Sequence, residues 1–179
     1  PLEPEPACVT DTVANYGADY WEVGLSGEAK LRVQFKGDTT ISLGPGKERR
    51  GEHVWWSQRG DGIHTWLEGS IDLRNLVTAT LAYKLWFDIE SGWDYAYLRV
   101  STDDGATWDL LRAPTSSAYD PLGYALGPAY TGSSGCAPTE DGDCQPRWLS
   151  ERLALDPYCG QKVYLRWDYI TDEAVMGAG

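Results

Sequence analysis

The sequence predicts an all-β fold, a jelly-roll β-sandwich of two antiparallel sheets. Three observations predict it. Apolar and polar residues alternate with period two over residues 81–90 and 163–169. Few segments carry apolar residues at the three-and-four spacing of a helix. Short alternating runs also recur at regular intervals along the 179 residues, separated by turn residues.

Taken in order, residues 1–18 form an N-terminal extension that begins Pro-Leu-Glu-Pro-Glu-Pro, a linker by composition. The main domain covers residues 19–179. Residues 31–35 and 39–43 form a strand pair around Lys36-Gly37-Asp38, ended by Gly44-Pro45-Gly46, and residues 47–52 are a charged loop. Residues 54–57 make a short strand with Trp55 and Trp56. Arg59-Gly60-Asp61-Gly62 makes a turn, and residues 65–73 a strand. The tripeptide Arg-Gly-Asp reads here as a turn rather than an adhesive motif.

The central hairpin is the clearest element. Along residues 81–90, Leu81, Tyr83, Leu85, Phe87 and Ile89 share the core face. Ser91-Gly92-Trp93 turns the chain. Residues 94–101 return, with Ala96, Leu98 and Val100 on one face and Tyr95, Tyr97 and Arg99 on the other. Residues 101–108 spell Ser-x-Asp-x-Gly-x-Thr-Trp, an Asp-box, which leads into a strand at 108–112. Residues 113–147 are a long insertion rich in Gly, Pro, Ser, Thr and Tyr. Strands follow at 148–155 and 163–169 around a turn at 156–160. In the last, Val163, Leu165, Trp167 and Tyr169 point inward, and Tyr164, Arg166 and Asp168 outward.

Composition narrows the function. Fifteen Lys and Arg against 27 Asp and Glu give a net charge of −12, which repels phosphate backbones and excludes nucleic acid as a partner. No apolar run approaches the ~18 residues of a membrane span. The chain does not begin with Met and reads as a piece of a longer secreted precursor. Of the four cysteines, Cys136 and Cys144 flank a polar loop that a local disulfide could close. Cys8 and Cys159 are then left, paired or free; four cysteines allow three pairings, and spacing does not choose. Such bridges fit an oxidising, extracellular setting.

Catalytic signatures are weak. The Asp-box explains itself as a turn: Asp103 accepts backbone hydrogen bonds, Gly105 supplies a positive φ, and Trp108 covers the turn. A propeller hydrolase would repeat the motif, which occurs once here. His53 and His64, the only histidines, lie in no H-E-x-x-H, and no Gly-x-Ser-x-Gly elbow is present. A self-standing hydrolase is therefore the weakest reading.

Two binding constellations remain. Asp88, Glu90 and Asp94 lie at the ends of the central strands, and Asp168, Asp172 and Glu173 where the last strand exits. Asp88, Glu90, Asp94 and Asp172 could together cage calcium, a cation that takes six to eight oxygen ligands. The competing reading pairs Asp88 or Glu90 with Arg99 or Arg166 across strands. Trp86, Tyr95, Tyr97 and Tyr164 share non-core faces and could stack sugar rings as a carbohydrate-binding module does. The competing reading covers them with the insertion, through Tyr119, Tyr124 and Tyr130.

Longer strings carry a family likeness. VWWSQRGDGIHTWLEGSIDL, LAYKLWFDIESGWDYAYLRVSTDDGATW, YTGSSG and WLSERLALDPYCGQKVYLRWDYITDEAV together resemble the region that follows the catalytic domain in immune inhibitor A-type secreted bacterial metallopeptidases. The likeness runs over residues 19–175. It implies a MAM-like, noncatalytic jelly-roll module, often calcium-bearing, that supports or targets a zinc protease domain of the same precursor through protein or glycan contacts. The family's H-E-x-x-H belongs to that other domain. Such regions usually continue into a Gly-Phe-led final strand, whereas this sequence ends Gly177-Ala178-Gly179, which bears on any calcium site using that strand.

Overall fold

The computed structural model describes Gln34, Lys36 and residues 54–138, 144–175 and 177–179. The chain divides into two compact units, Pro1–Thr40 and Ile41–Gly179, and the elements below belong to the second. The expectations for residues 1–18, for strands at 31–35 and 39–43, for the loop at 47–52 and for Cys8 and His53 lie outside the described residues.

Among the described residues six strands follow in order: β1 (His64–Asp72), β2 (Thr80–Leu85), β3 (Tyr95–Ser101), β4 (Asp109–Leu111), β5 (Leu149–Ala154) and β6 (Lys162–Ile170). A 3-10 turn at Asp156–Tyr158 joins the last two, and no α-helix occurs among the described residues. One antiparallel sheet has the order β1-β6-β3-β4, and the other pairs β2 with β5. The chain crosses between sheets after β1, β2, β4 and β5, as a jelly-roll sandwich requires.

Side-chain alternation explains the sandwich. Val163 and Leu165 of β6 and Val100 of β3 point into one core with Leu73 and Leu155. Leu81 of β2 and Leu153 of β5, cross-strand partners, pack on that core from the opposite sheet. Tyr83 meets Trp167 edge to face at 5.3 Å across the two layers. A second core joins Phe87, Ile89, Ala113, Tyr130 and Tyr169. Burying each large side chain contributes roughly 1.5–3 kcal/mol. Asp156 Oδ1 accepts the Ala79 N–H at 2.8 Å, which ties the turn before β6 to the entry of β2.

The central hairpin is a correction. β2 and β3 are not partners: β2 pairs with β5, while β3 lies between β6 and β4. Alternation fixes which face a residue presents and carries no information about the neighbouring strand. Beyond Leu85 the predicted strand leaves its sheet, and residues 86–94 cross to the other layer with one bridge, Asp88 to Ser133. Residues 54–57 are likewise not a strand.

The insertion is more ordered than a free loop. Ser117 pairs with Ala129, and Tyr130 with Ala96 of β3. Ala129 and Tyr130 are each 2% exposed, so the segment is part of the core. Cys136 and Cys144 are joined by a disulfide. Cys159 has no disulfide partner among the described residues. Reducing Cys136–Cys144 is expected to lower the unfolding free energy by about 2–3 kcal/mol, the loop-closure scale for a short ring. Denaturant midpoints of oxidised and reduced protein measure this, and coincident midpoints would show that the bridge constrains nothing.

Candidate functional site

The crossing segment and the exit of β6 bring three carboxylates together. Glu90, Asp94 and Asp172 place carboxylate oxygens within 4.8 Å of one another. Asp94 is 1% exposed. It accepts the Asp172 N–H at 3.1 Å and the Tyr169 hydroxyl at 3.4 Å, and its own N–H bonds to Glu90 O at 3.1 Å. Burial pushes the Asp94 carboxyl up to about 6 against the opposing backbone hydrogen bonds, and the Asp172 charge adds to the rise. Glu90 is raised by burial first and then by the charges of Asp172, Asp94 and Asp61. Glu90 Oε2 is buried without a hydrogen-bond partner among the described residues. The turn at residues 59–62 closes this end of the domain: Gly62 N–H donates to Asp172 O, and Gly60 O accepts the Thr171 hydroxyl at 2.9 Å. Converging carboxylates of this kind are the donor type that a hard cation takes.

Asp88 does not join the group. Its Oδ1 accepts the Ser133 hydroxyl at 2.8 Å, and its backbone carbonyl accepts the Ala178 N–H at 2.6 Å. The cross-strand ion pairs also differ from expectation. Arg166 pairs with Glu68, its Nε 2.9 Å from Oε2, and Arg99 Nε lies 2.9 Å from Asp168 Oδ2. The Arg99 contact is an ion pair by distance and does not have hydrogen-bond geometry. Asp168, expected to face solvent, is 1% exposed, and its other oxygen meets His64 Nε2 at 2.8 Å.

The aromatic platform read from the sequence is not formed. Tyr95 and Tyr97 are 3% and 2% exposed, because the insertion lies over their face of β3. Ala125 and Ala129 pack against them, the Leu126 N–H donates to the Tyr97 hydroxyl at 3.1 Å, and Tyr95 donates to Gly92 O and Asp120. Of the three tyrosines expected to cover this face, Tyr130 instead enters the second core against Phe87 at 5.4 Å. Tyr124 is exposed and packs on Trp93 at 5.7 Å. Trp86 and Tyr164 are half-buried, and Lys162 sits over the Tyr164 ring at 4.5 Å.

A different aromatic row occupies the outer face of the four-stranded sheet. His64 and Trp66 rings lie 5.3 Å apart, and the Arg166 guanidinium sits 5.4 Å from Trp66 and 4.0 Å from Trp108. Trp66 is 56% exposed. The Asp-box turn sets the far end of this row. Asp103 accepts the Thr107 N–H at 2.9 Å and the Thr107 hydroxyl at 2.6 Å, Gly105 adopts φ +87°, and Trp108 Nε1 donates to Gly105 O at 3.0 Å. The Thr107 and Ser101 bonds hold the Asp103 carboxyl at about 2. The turn thus fixes an indole against Arg166.

Sequence reasoning missed Trp66, which has no distinguishing spacing. It also missed Glu151, 1% exposed, whose Oε1 accepts from Thr115 and lies 3.5 Å from the Tyr130 hydroxyl. A signal for Glu151 existed: it stands between Leu149 and Leu153 at an inward position. Thr115 and Tyr130 also line a cavity of about 170 Å³ under the disulfide, with Phe87 and Arg147.

Comparison with known proteins gives a consistent picture. Residues 29–179 match the family model described as "Immune inhibitor A-like, MAM domain". The chain is 29% identical over 133 residues to "Pre-pro-metalloprotease PrtV" of Vibrio cholerae serotype O1, covering 74% of this chain and 13% of that protein. It is 29% identical over 123 residues to "Immune inhibitor A" of Bacillus thuringiensis subsp. alesti, covering 68% of this chain and 15% of that protein. The chain thus spans a small part of the relatives it matches.

Proposed function

Because the chain belongs to the immune inhibitor A-like MAM domain family, we propose that it is a noncatalytic accessory module of a secreted metallopeptidase, supporting or targeting the catalytic domain. The observation that carries this reading is the family-model match over residues 29–179, supported by alignments that cover 13–15% of two longer relatives, one of them a pre-pro-metalloprotease. No helix among the described residues is long and apolar enough to cross a membrane. The purified chain should show no proteolysis of a denatured protein substrate with or without zinc. Chelator-sensitive cleavage by the chain alone would overturn the reading.

Calcium is part of the proposal. Glu90, Asp94 and Asp172 would hold it, since their oxygens converge and one of them lacks a partner among the described residues. A bound divalent cation would cancel the mutual repulsion of the three carboxylates. It would also join the crossing segment to the end of β6 and, through the Gly62 contact, to the turn at residues 59–62.

A second reading, direct glycan contact, is favoured by one observation. Trp66 is 56% exposed beside the Glu68–Arg166 pair, and an indole flanked by charged hydrogen-bonding groups suits a sugar ring. Titration with neutral oligosaccharides should then give binding that Trp66→Ala abolishes. Equal heats for the two proteins would dispose of it.

A further inference from the structure

The insertion holds a second surface that neither the acidic group nor the sheet face uses. Residues 119–127 are ordered from below. The Asp120 carboxylate accepts the Tyr124 N–H at 2.8 Å and the Tyr95 hydroxyl at 3.3 Å. Burial works to raise this carboxyl, yet the N–H groups of Ala125, Tyr124 and Gly123 and the Tyr95 hydroxyl keep it below its ordinary value. The Tyr97 hydroxyl takes the Leu126 N–H. Pro121 packs so closely on Gly92 that a Cβ there would come within 2.9 Å of it. Two buried tyrosines and a carboxylate therefore brace the loop.

Its large apolar side chains nevertheless face water. Leu122 is 44% exposed, Tyr124 62% and Leu126 60%, and Trp93, which touches the Tyr124 ring, is 40% exposed. They contribute little to folding. An exposed apolar group held on an ordered support marks a contact surface.

Size and charge identify the occupant. Asp120, the only charged residue between 113 and 127, is engaged with the loop's own backbone. The segment has no Lys or Arg to draw an anionic bilayer, and the chain carries a net charge of −12. Four side chains fall short of the roughly 800 Å² per partner that a freely diffusing complex buries. A covalently tethered neighbour needs far less, because its effective concentration is high. Relatives in which this region is 13–15% of the length supply such a neighbour.

We propose that Trp93, Leu122, Tyr124 and Leu126 form the docking surface for the remainder of the metallopeptidase polypeptide. This rests on the accessory-module reading and names the face that makes the contact. Hydroxyl-radical footprinting of the chain alone and of the full precursor tests it. Oxidation of Trp93 and Tyr124 should fall several-fold in the precursor, while Trp66 on the sheet face stays equally reactive. The Leu122→Ser/Leu126→Ser double variant should leave the melting midpoint of the chain alone unchanged and restore Trp93 and Tyr124 reactivity in the precursor. Protection of Trp66 in place of Trp93 would refute this face and leave the accessory reading standing. No protection anywhere in the precursor would count against both. Protection of the chain alone by phosphatidylcholine vesicles, with none in the precursor, would overturn the proposal in favour of a lipid surface.

Discussion

Asp168→Ala is expected to destabilise the domain by about 3 kcal/mol, at the lower end of the 3–5 kcal/mol typical for breaking a buried ion pair. The carboxylate is 1% exposed and faces the Arg99 guanidinium at 2.9 Å and the His64 ring at 2.8 Å. Removing it leaves the Arg99 guanidinium, 19% exposed, without its counter-charge. Arg99 keeps one further contact, with the Tyr97 ring at 5.4 Å, and its partial access to water limits the loss. His64→Ala should cost less than about 1 kcal/mol, because that side chain is half in solvent. The cause of the Asp168 effect is separable by a double-mutant cycle. Asp168→Ala combined with Arg99→Leu should be more stable than Asp168→Ala alone, since the stranded charge is gone. Urea unfolding of these three variants and of Arg99→Leu closes the cycle. A single-variant loss below about 1 kcal/mol would mean that water reaches this pair in solution.

The second large effect concerns Asp94, pH and calcium together. Its carboxyl titrates at about 6 in the folded protein against an ordinary value of 3.8. Between those values the native state holds a proton that the unfolded chain has released. This group's contribution therefore makes stability fall as pH rises from below 4 to above 6, and the loss is complete above that window. In the presence of chelator at pH 7.5, Asp94→Asn should be at least as stable as the parent protein, with a gain on the order of 1–2 kcal/mol. An amide oxygen can still accept the Asp172 N–H. Calcium should reverse the order. A ligand at 100 times its dissociation constant stabilises the native state by about 2.7 kcal/mol, and Asp94→Asn should lose most of that gain. Melting curves from pH 4 to 8, with calcium and with chelator, read both effects. If calcium leaves the parent midpoint unmoved, the cation assignment falls. If Asp94→Asn is less stable in chelator at pH 7.5, the argument that burial penalises this charge fails.

Most of the acidic group was legible from spacing. Glu90 and Asp94 stand where one strand pattern stops and the next starts, and Asp172 stands just past the last strand. Asp88 was wrongly included because period-two counting ran the strand on to residue 90, whereas β2 ends at Leu85 and the crossing segment turns Asp88 to Ser133. The Asp-box was legible as a turn, since its bonds are local. That it positions Trp108 over Arg166 was not legible, because Arg166 is 58 residues further along the chain.

Local sequence thus determined the all-β class, the inward sets of β2, β3 and β6, the turn at residues 101–108 and the net negative charge. The charge is a sum over the composition, and the others depend on neighbours within a few residues, where steric and hydrogen-bonding preferences act directly. Tertiary structure alone decided that β2 pairs with β5, that the insertion covers Tyr95 and Tyr97, and that Asp168 is buried between Arg99 and His64. Those outcomes depend on which distant surfaces bury the most apolar area and satisfy the most polar groups together. That is a property of the whole packed chain, and no window of sequence carries it.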